Sequence, residues 1–259
     1  MKDYLIDTHA HIDMIIAEND VTIETVLSDM DAFGVKKAII PSVSAETFEK
    51  VIEIANSHEN IYAMTGLFPD QAKIYNDDIE NYMEKLAKSE SKIVAVGEVG
   101  LDYYWDKSYN DMQKDAFRRQ IRMANRLELP LVVHDREAHK DCFDILNEEN
   151  PKNGVLFHCF SGSVEFMKEC VKKGWYIALG GVVTFKNAVK MKDVAREVPL
   201  SNLVLETDSP YLTPVPYRGK PNKPAYVKFV AEEIAELRNM PLAELIDVTT
   251  TNAERFFRI

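Results

Sequence analysis

Four of the six histidines in this 259-residue chain, His9, His11, His134 and His158, stand at the ends of short apolar runs. Glu98 and Asp208 hold the same kind of position. His9 and His11 are two apart, so on an extended segment both imidazoles face one side. Asp7 shares that side one step deeper, placed to hydrogen-bond a ligand imidazole from behind. Glu206 and Asp208 likewise share a side. Imidazoles and carboxylates gathered in an apolar setting are costly unless something takes up their lone pairs. Two divalent cations would do so, and mixed His and carboxylate donors suit Zn, Mn, Ni or Co, with Mg less at home among so many imidazoles. A lone His at a strand end is more often a satisfied polar residue than a ligand, and it is the coincidence of four that favours metal. His58 and His139 fall on or beside helices and read as surface residues. Cys159 follows His158 directly and reads as a small core side chain pointing the other way.

Eight apolar runs, bounded by Gly, Pro, Ser or Asp, have the length of buried parallel strands: 4–7, 38–41, 61–66, 93–96, 131–134, 155–158, 175–179 and 203–206. Amphipathic stretches separate them. Over 111–127, Met112, Phe117, Ile121, Ala124 and Leu127 make one helical stripe. Ser163 is placed to cap a helix over 164–173, with Glu165 and Phe166 in its first turn and Gly174 ending it. A last helix is expected over 241–257. Eight strand–helix units without a composition break predict an α/β chain folded as one (β/α)8 TIM barrel over 1–259. A doubly wound open sheet is the alternative, since periodicity does not show closure. In a barrel the C-terminal strand ends converge on the face that carries active sites.

The bulk numbers narrow the function. An apolar content of 46% supports a sizeable core, and a net charge of −11 argues against wholesale adhesion to nucleic acid or anionic membrane. It leaves room for an anionic substrate held locally, because bound divalent ions dominate the field around them. MKDYLIDTHAH has no apolar core of a signal peptide, and no run approaches the roughly 20 apolar residues of a membrane span. Three cysteines without CxxC spacing fit reduced thiols. A cytoplasmic monomer is the default expectation.

Five segments then carry a family resemblance. Asp7–Thr8–His9–Ala10–His11–Ile12–Asp13, Gly97–Glu98–Val99–Gly100–Leu101–Asp102–Tyr103, Val133–His134–Asp135–Arg136, His158–Cys159–Phe160–Ser161–Gly162 and Glu206–Thr207–Asp208–Ser209–Pro210–Tyr211–Leu212 resemble the TatD-type metal-dependent deoxyribonucleases, a branch of the amidohydrolase superfamily. Arg218–Gly219–Lys220–Pro221–Asn222–Lys223–Pro224 looks like that family's basic loop. The resemblance implies His9 and His11 on one metal, His134 and His158 on the other, and Glu98 bridging. Asp208 would bind the first metal and contact the hydrolytic water. Two residues depart from the pattern. Phe68 stands in Gly66–Leu67–Phe68–Pro69 where the family has His, and Lys223 stands where it has Glu.

The implied activity is two-metal hydrolysis of DNA phosphodiesters, 3′–5′ exonuclease-like, with Asp208 as general base and Glu206 as a supporting, proton-handling carboxylate. Arg136 lies two residues past His134 and suits a bidentate phosphate contact. Arg218, Lys220 and Lys223 are candidates for neighbouring phosphates. Tyr103, Tyr104 and Trp105 would either stack a base or pack beneath their loop. The same machinery also cleaves amides and other esters, D-aminoacyl-tRNA among them, so a non-DNA hydrolase is the competing enzyme reading. A non-catalytic barrel scaffold is the other alternative, disfavoured by the full ligand set.

Overall fold

The computed structural model of the chain describes residues 1–19 and 21–259. The strands are β1 (Leu5–Asp7), β2 (Val35–Ile40), β3 (Ile61–Thr65), β4 (Ile93–Asp102), β5 (Leu131–Arg136), β6 (Val155–Phe157), β7 (Tyr176–Leu179) and β8 (Leu203–Leu205). The helices are α1 (Ile12–Asn19), α2 (Ile23–Ala32), α3 (Phe48–Ser57), α4 (Asp77–Ser89), α5 (Asn110–Leu127), α6 (His139–Glu149), α7 (Val164–Lys172), α8 (Val189–Glu197), α9 (Val227–Leu237) and α10 (Leu242–Phe257). The sheet runs β1 to β8 in chain order. That is the order of a (β/α)8 barrel, the expected fold class, since a doubly wound sheet reverses direction partway.

The chain divides into two compact units, Met1–Ile40 with Gly162–Ile259, and Pro41–Ser161. In the first, β7 pairs with β8 and β1 with β2, all parallel. The chain after β8 is hydrogen-bonded to β1 and its tail: Thr8 N donates to Leu205 O at 3.1 Å and His11 N to Ser209 O at 2.8 Å. Ser163 caps α7 as expected, accepting from Phe166 N. Gly174 follows with φ +77°, a left-handed turn that suits glycine. In the second unit β3, β4, β5 and β6 pair in that order, all parallel.

Two sequence expectations need revision. β4 does not stop at Val96 but runs on, fully buried, to Asp102. Between the pairs Val96↔Leu131 and Val99↔Val133, β4 advances three residues against two on β5. Such an irregularity re-aims a side chain, and Glu98 lies within it. The apolar stripe of α5 is also shifted: Met112 is exposed, and Gln113 and Gln120 are buried in the helix's inner face.

α10 secures the first unit from below. Its Asn252 Nδ2 donates to Leu200 O and Leu203 O at 2.6 and 2.8 Å, and Thr250 Oγ1 donates to Tyr4 O at 2.6 Å. Glu254 on the same helix collects Lys2 Nζ at 2.7 Å, Lys37 Nζ at 3.0 Å and Tyr4 OH at 2.5 Å. Partial burial pushes this carboxyl up, but the hydrogen bonds from Lys2, Tyr4 and Lys37 outweigh it and hold Glu254 at about 2. A depressed carboxyl stabilises the fold above its unfolded value. That stability disappears as pH falls from about 4.5 toward 2. Glu254→Gln is therefore expected to cost roughly 1–3 kcal/mol at neutral pH. Urea denaturation across the acid range should show the gap to wild type closing in that window.

Candidate functional site

In the first unit, backbone hydrogen bonds bring three donor side chains together. Asp208 N donates to His9 O at 2.9 Å, so the segment after β8 advances beside the tail of β1. His11 Nε2 then lies 3.5 Å and His9 Nε2 4.0 Å from Asp208 Oδ1. Asp208 adopts φ +55°, a left-handed conformation that aspartate tolerates better than most residues. Both histidines are buried, and Tyr211 stands edge-on to His11 with ring centroids 6.2 Å apart. Glu206 is fully buried one residue past the end of β8.

Asp7 does not hydrogen-bond a ligand imidazole as the alternation predicted. Its carboxyl accepts from His9 N at 3.2 Å, Thr207 N at 2.9 Å and Thr207 Oγ1 at 2.5 Å. It therefore fastens the backbone that carries His9 to the backbone that carries Asp208. Burial pushes Asp7 up to about 7, against the pull of those hydrogen bonds.

In the second unit, His134 Nδ1 lies 2.7 Å from Glu98 Oε1 and 3.2 Å from His158 Nε2, and His158 Nε2 lies 2.7 Å from the same oxygen. On its other side His134 Nε2 meets Asp102 Oδ2 at 3.0 Å. Burial disfavours a charged His134, but hydrogen bonds to Asp102 and Glu98 prevail and raise it to about 9. The two carboxylates thus favour positive charge on His134. Gly100 makes the approach possible: it pairs with His134 at φ +147°, and a Cβ there would sit 2.0 Å from His134 O.

Three further side chains support this cluster, and local pattern points to none of their contacts. Gln113 Oε1 accepts from Asp102 N at 2.9 Å while its Nε2 donates to Asp102 O at 3.0 Å. Gln120 grips Leu67 in the same two-ended way, at 2.7 and 3.1 Å. That grip precedes Phe68, whose ring stands edge-on to His134 with centroids 4.6 Å apart. Asp102 belongs to the segment Gly97–Tyr103, and its contact with His134 is a tertiary one that the segment does not encode. Cys159 is not a strand residue facing the core. β6 ends at Phe157, and Cys159 sits half-buried in a turn at φ +43°. His139 pairs with Asp135 at 2.7 Å, as a polar residue on its helix.

The cationic residues divide. Arg136 lies with its guanidinium 3.8 Å from the Tyr104 ring centroid, and no carboxylate among the described residues pairs with it. Arg218 lies over Phe185 at 3.9 Å and donates to Thr213 O, and Lys220 is exposed. Lys223, expected to be available to phosphate, is taken up by Asp29 at 2.6 Å. The basic loop is tied down by Asn222, whose Nδ2 donates to Thr207 O at 3.0 Å and Tyr211 O at 2.6 Å.

Whether these residues fit a metal turns on donor chemistry and spacing. A divalent ion about 2.0–2.2 Å from each of its ligands holds them roughly 3–3.5 Å apart. The Glu98, His134 and His158 donors, at 2.7–3.2 Å, need to open by only a few tenths of an ångström. His9, His11 and Asp208 are slightly looser, and in each cluster the donor atoms all lie within 4.8 Å of one another. Both sets fit a divalent ion.

The family described as TatD related DNase matches residues 6–258. The chain is 43% identical to the uncharacterized metal-dependent hydrolase YabD of Bacillus subtilis, over 98% of this chain and 99% of that one. It is 37% identical to the uncharacterized metal-dependent hydrolase YcfH of Escherichia coli, covering 99% and 96%. The crystal structure of YjjV, a TatD homologue from Escherichia coli, superposes with a TM-score of 0.92 at 32% identity, covering 98% of each chain. No helix among the described residues is long and apolar enough to cross a membrane.

Asn222 is nearly inaccessible, so its removal leaves two carbonyls without their donor. Asn222→Ala is expected to lower the unfolding free energy by about 2 kcal/mol. Limited proteolysis should then cut within 213–224 sooner than in the wild type.

Proposed function

This chain belongs to the TatD-related DNase family and is a metal-dependent hydrolase, and from that premise we propose that it cleaves DNA phosphodiester bonds, working from a strand end in the 3′–5′ direction. His9, His11 and Asp208 would hold one divalent ion, and Glu98, His134 and His158 a second. Bound divalent ions supply Lewis acidity, lowering the pKa of a water and polarising the P–O bonds. Asp208 takes the proton of the attacking water, its carboxylate standing 3.5 Å from the His11 imidazole. Glu206, fully buried, is the supporting carboxylate that relays that proton.

The observation that carries a phosphate substrate is Arg136. Stacking on Tyr104 occupies the face of its guanidinium and leaves the N–H edge donors for an anion. Asp102 lies close enough to feel the Arg136 charge, but no carboxylate among the described residues forms an ion pair with that guanidinium. Arg218 and Lys220, on the loop anchored by Asn222, are assigned to neighbouring phosphates.

Purified protein is expected to bind two equivalents of divalent metal by elemental analysis. His134→Ala and His9→Ala should each lower that content by one. Arg136→Ala should keep both ions and slow hydrolysis of end-labelled DNA by roughly ten- to a hundredfold, the worth of a charge-assisted phosphate contact. If metal-loaded protein left single- and double-stranded DNA intact while hydrolysing an ester or amide, the deoxyribonuclease assignment would be wrong.

A further inference from the structure

The loop between β4 and α5 exposes aromatic surface that its own fold does not use. Trp105 is 74% and Tyr104 48% exposed, so neither packs beneath the loop. The loop is nonetheless held in place. Tyr104 N donates to Asp102 Oδ1 at 3.0 Å, Tyr103 N to Arg136 O at 2.9 Å, and Ser108 N to Asp106 Oδ1 at 2.8 Å. Contiguous exposed apolar surface marks interaction sites, and the Tyr104 and Trp105 rings are contiguous, with centroids 4.7 Å apart.

Beside this loop lies a cavity of about 270 Å³ lined by Phe68, Asp70, Asp102, Trp105 and Tyr109. Drug-sized ligands occupy sites of roughly 300–1,000 Å³, so this one suits a single flat ring system. Three of its five lining residues are aromatic, and the other two are carboxylates. A phosphate would be repelled by Asp70 and Asp102. A neutral planar group with N–H donors on its edge meets both features, stacking on the rings and donating to Asp70. The neighbouring cations do not reverse the charge. Lys73 covers one face of the Tyr109 ring, 4.1 Å from its centroid, and its charge is shared with Asp106 Oδ2 at 3.6 Å. Arg136 is stacked on Tyr104, with Trp105 at 5.4 Å.

We propose that this pocket is a nucleobase subsite, in which Trp105, Phe68 and Tyr109 stack one base of the substrate and Asp70 accepts from its exocyclic amino group. The subsite adjoins the His134 cluster directly. Phe68 lines it and stands edge-on to His134, and Asp102 lines it and holds His134 Nε2. A base seated there leaves its phosphate outside, where Arg136 presents its free edge. Phe68 acquires a reason on this view: an imidazole in its place would make a more polar wall. The inference rests on the nucleic-acid reading above and gives it a substrate contact.

The test is calorimetric titration of metal-loaded protein with 2′-deoxyadenosine, which carries no phosphate and so does not report on the metals or Arg136. Weak, saturable binding is expected, with none for 2-deoxyribose. Trp105→Ala should weaken it roughly tenfold, in line with the worth of one base–aromatic stack, and Trp105→Phe should retain it within about threefold. Because Trp105 is exposed, the melting temperature of both variants should match the wild type. Absence of deoxyadenosine binding at millimolar concentration, or equal binding by Trp105→Ala, overturns the subsite. DNA hydrolysis assayed on the same preparation separates the two ideas. Intact DNA with deoxyadenosine bound refutes the nuclease reading alone, and cleaved DNA without nucleoside binding refutes the subsite alone.

Discussion

The join between β8 and β1 is the constraint on which the first donor cluster depends. His9, His11 and Asp208 have no reason of their own to approach, because buried polar groups lose hydration as they gather. They are brought together by backbone hydrogen bonds between segments about two hundred residues apart in sequence, from Thr8 to Leu205, Asp208 to His9 and His11 to Ser209. Asp7 adds side-chain contacts to Thr207 and to His9 N. Because the fold supplies the energy for that arrangement, a divalent ion would find its ligands already placed rather than having to collect them.

The second cluster obeys the same rule through other devices. Glu98 stands where β4 slips by a residue against β5, and Gly100 lets the backbone of β5 approach where His134 must stand. α5 then holds the ends of β3 and β4 with two glutamines, each both donating and accepting. Asn222 and Asn252 perform comparable work in the first unit. Short parallel strands leave backbone groups exposed at their ends. A primary amide suits them because it offers both a donor pair and an acceptor.

This explains what could be read from the sequence. Apolar runs of strand length and helical stripes follow from burial alone, so the eight strands, the Ser163 cap and the (β/α)8 order were all legible. The six candidate donors were legible too, since polar residues at apolar strand ends are costly and hence informative. What was hidden depends on tertiary neighbours. Gln113 and Gln120 look like surface residues of an amphipathic helix, while Met112, which completes the apolar stripe, is the one exposed. Asp7 alternates with His9 as expected, yet it grips backbone instead of imidazole. Lys223 reads as a free cation until Asp29, nearly two hundred residues earlier, is placed against it. Nothing in local pattern encodes such partners.

The distribution of charge is compatible with the anionic substrate that the proposed function requires. Many of the helical arginines are neutralised locally: Arg118 and Arg122 share Glu149, and Arg119 and Arg126 share Glu80. Such exposed pairs contribute little stability individually. Their effect is to cancel positive potential over these helices, where a polyanion would otherwise adhere non-specifically. Arg136, Arg218 and Lys220 have no carboxylate partner among the described residues. At physiological ionic strength fields decay over about 8 Å, so a net charge of −11 spread over the surface is felt weakly at any one contact. A phosphate beside Arg136 would respond chiefly to that guanidinium, to the Asp102 carboxylate that feels the same charge, and to whatever ion Glu98, His134 and His158 would hold. On the proposed nuclease reading, an acidic exterior would make encounter with a polyanion slower and less indiscriminate, leaving productive contact to Arg136, Arg218, Lys220 and the candidate metal ligands.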